Sequence, residues 1–266
     1  RRYLDIALCQ IDGVYCRTLA RYNHIIEQRN ALLKQIRERQ ARPAELDYWD
    51  EQTAALGGAV LARRLWAIRE LGRDAGQLLP ALTGERERLT LAYQHSLEAY
   101  TDEAARAVLA TPDPPESARL TELFHQALRN ARREEEARAV TVVGPHRDDL
   151  RFLINGVDAT TYGSRGQQRT TVLALKLAEV TLMQREAGEM PVLLLDDVIS
   201  ELDLLRSQCL LETISRAQQV LITTTDLGDY AREFLRDAAL WRVAAGTVTP
   251  YGEGNHRGAE NAGESE

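Results

Sequence analysis

Two adjacent carboxylates, Asp196 and Asp197, directly follow an unbroken apolar run, Val192–Leu195. Such a run predicts a strand buried on both faces of a parallel sheet. The carboxyl ends of parallel strands form the edge at which open α/β sheets bind their ligands. Magnesium takes one or two carboxylates and leaves its other positions to water and phosphate oxygens. The pair therefore indicates a magnesium and phosphate site, and the alternative is a strand end followed by a solvated turn.

A second polar stretch, GSRGQQRT from Gly163 to Thr170, precedes a helical apolar pattern. Ser164 and Gln167 have the spacing of a capping box, which is a purely structural motif. The same helix start can also bind an anion, because its first N–H groups and the helix dipole both favour negative charge. Ser200 is similarly either an N-cap or part of a polar site. The order of helix start, helix, buried strand, paired acids and polar loop favours the functional interpretation.

The first half of the chain is predicted to be helical and very polar. Helices are expected over 15–40, 44–71, 89–109 and 116–138. Pro43 and Pro80 separate them, and the pair Gly57-Gly58 is expected to interrupt the second helix. Basic residues are expected on the outer faces, either as a solvated surface or as a face that contacts nucleic-acid phosphates. They include Arg29, Lys34, Arg37, Arg39, Arg63, Arg64, Arg69 and Arg73.

The periodicity changes after Val140. Strands are predicted at 140–143, 151–154, 157–160, 219–222, 239–244 and 247–251, with a helix over 201–216. Asn155-Gly156 is a strong hairpin signal between the second and third of these strands. His146, in the GPHRDD loop, has no second histidine or cysteine nearby and is interpreted as a hydrogen-bonding structural residue rather than a metal ligand. Residues 252–266 are rich in glycine and glutamate and are expected to be disordered.

These motifs together resemble those of the RecF family, bacterial DNA replication and repair proteins of the ABC/SMC-like ATPase class. SRGQQ resembles the signature sequence, LLLDD the Walker B strand and SELD the D-loop; RRYLD and GPHRDDL also resemble that family, in the same order. The resemblance implies an α/β fold. Residues 1–138 would form an all-α helical arm domain, and 139–251 the C-terminal part of an ABC-type ATPase lobe.

The resemblance also implies a role for each motif residue, with ATP and Mg²⁺ as cofactors. Ser164, Arg165, Gly166 and Gln167 would meet the nucleotide bound to a second subunit. Asp196 would hold magnesium, and Asp197 would orient or deprotonate the attacking water, so that it is the catalytic residue. The remaining nucleotide-binding positions are in the D-loop and at the usual switch histidine, here a threonine. They are Ser200, Asp203 and Thr225.

The function that the resemblance implies is an ATP-dependent homodimeric clamp on DNA. It would bind single-stranded DNA and single-strand/duplex junctions, assist recombinase loading at gaps, and work with RecR/RecO-type mediator proteins. No phosphate-cradling GxxxxGK[ST] loop occurs in the chain, so the sequence is interpreted as the C-terminal two-thirds of such a protein. Weak DNA-dependent ATPase activity is expected only where that loop is also present.

Composition narrows the alternatives. The net charge is −7, so a global basic field is absent and any DNA contact must be local. Cys9, Cys16 and Cys209 form no CxxC pair, and no apolar run is long enough to span a bilayer, so a cytoplasmic protein without membrane contact is expected. Two other functions stay open: a different SMC-like repair ATPase, or a non-catalytic DNA-binding adaptor with vestigial carboxylates.

Overall fold

The computed structural model describes residues 1–111, 113–199, 202, 204–215, 217–228, 230 and 232–251. Its first half is dominated by three helices, α1 (Arg2–Ile11), α2 (Gly13–Arg37) and α3 (Leu46–Thr83). Asp12 caps α2, because its carboxylate accepts hydrogen bonds from the amides of Val14 and Tyr15, both at 2.9 Å. A single 3₁₀ turn over Pro43–Glu45 joins α2 to α3. None of the helices within the described ranges is long and apolar enough to cross a membrane.

The expected break at Gly57-Gly58 is absent, because α3 runs unbroken through both glycines for 38 residues. Their role is close packing against α5 (Ser117–Arg138). A Cβ on Gly57 would lie 2.0 Å from the Phe124 ring, and one on Gly58 would lie 2.4 Å from Thr121 Oγ1. The missing side chains therefore let two helices approach each other, and packing outweighs the low helix propensity of glycine.

The prediction of a helix over 89–109 was wrong for its first part. Residues Leu89–Gln94 form a strand, β1, followed by a 3₁₀ turn over Ser96–Tyr100 and the short helix α4 (Glu103–Leu109). β1 pairs antiparallel with β2 (Asp149–Ile154), from Leu89 opposite Ile154 to Gln94 opposite Asp149. Residues 1–138 are thus not wholly helical. The alternation of apolar and polar residues in LTLAYQ fits the period of a strand.

The strand predicted at 140–143 is also absent, and these residues have no regular secondary structure. Side chains, rather than a neighbouring strand, bind their amides: Asn30 Oδ1 accepts from Thr141 N at 2.7 Å and Glu135 Oε1 from Val142 N at 2.9 Å. The predicted hairpin is confirmed, with β2 followed by β3 (Val157–Asp158) and positive φ at Asn155 and Gly156. β3 ends before residue 159, where the short helix α6 (Ala159–Tyr162) begins.

The second half contains the predicted parallel pair. Helix α7 (Arg165–Ala187) leads to β4 (Leu193–Asp196), which pairs in parallel with β5 (Val220–Thr223) after helix α8 (Leu204–Ile214). The prediction that β4 is buried on both faces was wrong, because Leu193 is buried but Leu194 is 74% exposed. Helix α9 (Arg232–Arg236) and the hairpin of β6 (Trp241–Ala244) and β7 (Thr247–Pro250) follow. Glu201, Arg216 and the tail 252–266 lie outside the described residues.

Two arginines expected on the outer surface are buried instead. Arg29 is fully buried and binds Asp50, Glu135 and Thr141, with distances from 2.6 to 2.9 Å. Arg64 is 1% exposed and binds Asp5, Tyr93 and the carbonyl oxygen of Pro145. Each buried guanidinium is matched by carboxylates and hydrogen-bond acceptors, as a buried charge requires. The boundary between residues 138 and 139 stays a prediction.

Candidate functional site

The N-terminus of α7 carries the first part of the candidate site. Ser164 Oγ accepts a hydrogen bond from the Gln167 amide at 3.2 Å, and Gln167 Oε1 accepts one from the Ser164 amide at 2.9 Å. This is the predicted capping box. It leaves the amides of Arg165 and Gly166 as first-turn donors that have no partner within the helix. The capping box and an anion site can therefore coexist at this helix start.

Two glycines shape the approach to this helix. A Cβ on Gly163 would lie 2.4 Å from the carbonyl oxygen of Ala159, so only glycine fits between α6 and α7. A Cβ on Gly166 would meet nothing closer than Ser164 Oγ at 3.9 Å, so its backbone borders open space. Ser164, Arg165 and Gly166 are exposed. An anion can therefore reach the helix N-terminus directly.

The paired acids occupy the carboxyl edge of the parallel strands. Asp196, the last residue of β4, lies opposite Thr223, the last residue of β5, and its Oδ1 accepts a hydrogen bond from the Thr223 hydroxyl. The Asp197 amide donates to the Thr223 carbonyl oxygen at 3.1 Å. Asp196 is exposed and Asp197 half-buried. An exposed carboxylate with one oxygen oriented by a hydroxyl is suited to hold a hydrated divalent cation.

Asp197 has a left-handed backbone conformation, with φ +48. Aspartate tolerates this region better than most residues, yet non-glycine residues seldom adopt it. The turn directs the chain out of β4 immediately after the first acid. Backbone conformations of this kind are concentrated at functional sites, and here it falls on the proposed catalytic residue.

The structure brings some of the predicted site residues together, and two others lie outside the described residues. Asp196 and Asp197 share an edge with the segment after β5, which includes the exposed Thr225. Ser164, Arg165, Gly166 and Gln167 are grouped at the start of α7. Ser200 and Asp203 lie outside the described residues. Within the described part of the chain, no cluster of three or more histidine, cysteine or acidic residues could hold a metal.

Sequence reasoning missed two side chains that contact these groups. Thr223 binds Asp196, and Glu87 Oε1 accepts a hydrogen bond from Gln167 Nε2 at 2.8 Å. Thr223 could have been found from the parallel pairing, because neighbouring parallel strands end at the same edge. Glu87 is distant in sequence from α7, and no local pattern indicates their contact.

The GPHRDD loop is held in place from several sides. Tyr22 donates to His146 Nδ1 at 2.7 Å, and His146 Nε2 donates to the Thr141 carbonyl oxygen at 3.3 Å. Burial lowers the pKa of His146 to about 4, so the ring is neutral, as this pattern of one donor and one acceptor requires. Asp148 Oδ1 accepts from the amide and the hydroxyl of Ser96, at 2.8 and 2.6 Å. His146 thus has the hydrogen-bonding environment of a structural residue.

Comparison with known proteins shows what the whole chain is similar to. No family model matches the chain. A DNA replication and repair protein RecF from Chloroflexus aurantiacus is 47% identical over 253 residues, which cover 93% of this chain and 62% of that protein. The RecF protein of Bacillus subtilis is 39% identical, covering 93% and 64%. A solved structure described as the recombination mediator protein RecF-ATPrS in the RecFOR pathway has a TM-score of 0.78 at 30% identity, covering 95% of this chain and 62% of that one.

A capped helix that begins with SRGQQ, followed by a parallel strand that ends in two acids, defines the fold class as that of the ABC/SMC-like ATPases. Within that class, the chain is similar to RecF proteins over 93–95% of its own length. It spans about three-fifths of the length of the curated relatives that it matches, 62% for the Chloroflexus protein.

Proposed function

We propose that this chain is the signature-bearing and Walker B-bearing part of an ATP-dependent DNA clamp that acts in replication and recombinational repair. One observation carries the proposal above the others: the open first-turn amides of α7 and the acids at the end of β4 occur in one chain, in the order found in RecF proteins. The clamp is proposed to be a homodimer on ATP binding. Each composite site would then take α7 from one subunit and β4 from the other.

The start of α7 is proposed to bind the γ-phosphate of ATP held by the partner subunit. The amides of Arg165 and Gly166 point out of the first turn, and the helix dipole adds positive potential there. Ser164 contributes its hydroxyl, and Arg165 a positive charge that no acidic residue of the first turn offsets. The bond from Gln167 to Glu87 holds the capping side chain in place.

The end of β4 is proposed to be the hydrolytic side of the site. Asp196 fits a magnesium ligand, since it is exposed and Thr223 orients one of its oxygens. Magnesium bound there would neutralise charge on the phosphates. Asp197 is proposed to orient or deprotonate the attacking water. Ser200 and Asp203 would communicate across the dimer, and Thr225 stands where the switch histidine of related ATPases is expected, which favours slow turnover.

The proposed DNA-contacting residues lie at and just beyond the C-terminal end of α2. Among the basic residues singled out in the sequence, Arg29 and Arg64 are buried, while Arg63, Arg69 and Arg73 pair with acids. Lys34, Arg37 and Arg39 are exposed, and no acidic partner is present within the described residues. Unpaired cations are available to neutralise phosphates without reading bases. Single-stranded and gapped DNA, RecR/RecO-type partners and a cytoplasmic location belong to the same proposal.

Mixing two inactive variants tests the shared site. In the complete protein, Ser164→Asp spoils the signature side of both sites and Asp197→Asn spoils the Walker B side of both, so each variant alone should be inactive. A mixed dimer would carry one composite site with both changes and one with neither. ATP turnover should therefore reappear on mixing, up to about half of the wild-type rate per mixed dimer if the two sites act independently.

The same mixture also distinguishes the alternatives. A site built within one subunit gives no recovery, because every subunit then carries one damaged element. Wild-type protein diluted with an equal amount of the double variant serves as the control for unequal expression and folding. No turnover in the wild-type protein under any DNA condition would favour a non-catalytic adaptor.

A further inference from the structure

A cleft of about 480 Å³ lies between α3, β1 and the segment that connects α4 to α5. Its lining combines polar residues with apolar ones, which include Leu65, Ile68, Leu91, Leu109 and Pro114. Gly72 of α3 lies in its wall, and a Cβ there would be in ordinary contact with Leu91 at 3.7 Å. The cleft is thus large enough for at least one bulky apolar side chain.

His95 lines this cleft, and its side chain has no hydrogen-bond partner within the described residues. The side chain is 8% exposed, and its Nδ1 is buried without a partner. Its ring stands edge-on to the Tyr93 ring, with centroids 4.8 Å apart. Burial lowers its pKa to about 4, so at neutral pH the ring offers one N–H donor and one acceptor. Buried polar groups are nearly always bonded, so this orphaned ring indicates a missing partner.

Within the described residues, no strand pairs with the outer edge of β1, the strand beside the cleft. β1 is the terminal strand of the sheet β1-β2-β3. The Asn155 amide donates to the Arg88 carbonyl oxygen at 2.9 Å, which fixes the alternation of the ladder. Thr90 and Ala92 therefore direct their backbone groups toward β2, while Leu91 and Tyr93 direct theirs away from it. Leu89 has the same outward orientation, but its carbonyl oxygen lies close to Gly76 of α3. All three residues line the cleft, and the backbone groups of Leu91 and Tyr93 are the ones open to a partner.

The charge of the cleft argues against an anionic ligand. Among the described residues that line it, Arg69 is the one charged residue, and it is already paired with Asp113 at 2.7 Å and with Glu70 at 3.5 Å. A phosphate or a nucleic-acid backbone would find no unpaired cation among these residues. A neutral ligand with alternating N–H and C=O groups and an apolar side chain matches what the walls offer.

We propose that an extended polypeptide segment of a partner protein adds as a strand to the outer edge of β1 and places an apolar side chain in this cleft. Strand addition satisfies the outward backbone groups of Leu91 and Tyr93, and pockets beside the edge provide specificity. His95 can bond the backbone or a polar side chain of the added strand. An exposed strand edge tends to pair with other chains, and binding of a specific segment would cover it. The proposal is independent of ATP binding and of the clamp.

Binding of short peptides to the chain tests the proposal. The probes are blocked, fluorescently labelled heptapeptides of alternating threonine and apolar residues, with leucine, isoleucine, methionine, phenylalanine, tyrosine or tryptophan at the centre. Fluorescence anisotropy should show saturable binding of at least one of them, and the His95 ring resonances should shift at the same peptide concentrations. Two further versions of the best peptide carry N-methyl groups at the odd or at the even positions. One version should lose binding and the other keep it, because only alternate amides of an added strand face β1.

Two substitutions at one glycine provide matched variants. Gly72→Ala and Gly72→Met both raise helix propensity, but only methionine extends into the cleft. Gly72→Ala should bind as the wild type does, and Gly72→Met should weaken binding by roughly 10-fold or more, since the apolar side chain loses its burial. The absence of saturable binding for every peptide overturns the proposal. So does binding that ignores both N-methylated patterns, or binding that survives unchanged in Gly72→Met.

Discussion

Thr223 and Asp196 end two neighbouring parallel strands, and the threonine hydroxyl donates a hydrogen bond to the carboxylate across that pair. The bond fixes the orientation of the first acid before any ligand is present. The second acid is held through its backbone, because its amide donates to the Thr223 carbonyl oxygen at 3.1 Å and to the Thr223 hydroxyl at 3.3 Å. One threonine therefore holds the backbone and one carboxylate of the candidate Walker B site. Removing its hydroxyl takes away both side-chain bonds and leaves the shorter bond from the Asp197 amide to the Thr223 carbonyl oxygen.

Thr223→Val removes that hydroxyl while keeping the shape of a β-branched residue. Because both Thr223 and Asp196 are exposed, the hydrogen bond is screened, and a moderate effect is expected. The magnesium concentration needed for half-maximal ATP turnover in the complete protein should rise by about 3- to 10-fold, the range expected for a solvent-screened hydrogen bond of ordinary strength. Thr249→Val, on the exposed strand β7, is the matched control and should leave the magnesium titration unchanged.

Asp197→Asn tests the catalytic role of the second acid. Asparagine tolerates the left-handed backbone at this position about as well as aspartate does, so the fold should be kept. The amide cannot accept a proton from water, so ATP binding should persist while turnover stops and dimers accumulate on DNA. Steady-state phosphate release measures the effect. An unchanged rate would remove Asp197 from the proposed mechanism.

Much of the candidate site was accessible from sequence because its determinants are local. The capping box depends on residues three apart, and the acids directly follow the apolar run that positions them. The contact from Glu87 to Gln167 joins segments that are distant along the chain. Such contacts depend on strand order and helix packing, which a single sequence does not encode in any short pattern.

The errors in the predicted fold also come from contacts between segments that are distant along the chain. LTLAYQ in β1 alternates correctly for a strand, but its place in an otherwise helical half led to a helical interpretation. The glycines of α3 were predicted to break it, whereas their packing against α5 stabilises a continuous helix. Arg29 and Arg64 were expected in solvent because charged residues usually are, and only tertiary contacts with Asp50, Glu135 and Asp5 make their burial possible.

Acid should destabilise the fold through two buried histidines. Burial lowers the pKa of both His95 and His146 from 6.5 to about 4. Between these values the unfolded chain binds protons that the folded chain does not, so stability is present above pH 6.5 and is lost as the pH falls toward 4. The urea midpoint should therefore decrease between about pH 7 and pH 5.

The variant His146→Asn measures how much His146 alone contributes to the decrease in the urea midpoint. Asparagine keeps an acceptor near the position of Nδ1 for Tyr22 but does not titrate. The decrease in the urea midpoint should be smaller in this variant than in the wild type. The difference between the two proteins is the informative quantity, because burial also raises the pKa of Asp148 and Glu135, whose contributions have the opposite sign. An equal decrease in both proteins would contradict the assignment of His146 as a buried neutral ring.

Gly58→Ala tests the close approach of α3 and α5. The new Cβ would lie 2.9 Å from the Thr121 amide nitrogen, and a backbone atom cannot move aside as a side chain can. We expect a loss of about 1–3 kcal/mol from the free energy of unfolding, as for other overpacked cores. Gly72→Ala on the same helix has room and should instead gain about 1 kcal/mol from helix propensity. Chemical denaturation of both variants gives the comparison, and a destabilised Gly72→Ala would contradict the described packing.

Ser164 distinguishes a helix cap from a nucleotide contact. If it only caps α7, Ser164→Ala should cost about 1 kcal/mol of stability and have no other effect. If it also meets the γ-phosphate held by the partner subunit, the same change should block ATP-dependent dimerisation while each monomer still binds ATP. Ser164→Asp is the sharper variant, because aspartate caps a helix as well as serine does but places a negative charge against the triphosphate.

Sedimentation of both variants of the complete protein, with ATP and magnesium, measures the outcome. Ser164→Asp should have wild-type stability and remain monomeric, and Ser164→Ala should be slightly less stable and impaired in dimerisation. The exposed amides of Arg165 and Gly166 are unchanged in both, so any residual dimerisation of Ser164→Ala reflects their contribution. A Ser164→Asp protein that dimerises normally on ATP would leave this serine with the role of a helix cap alone.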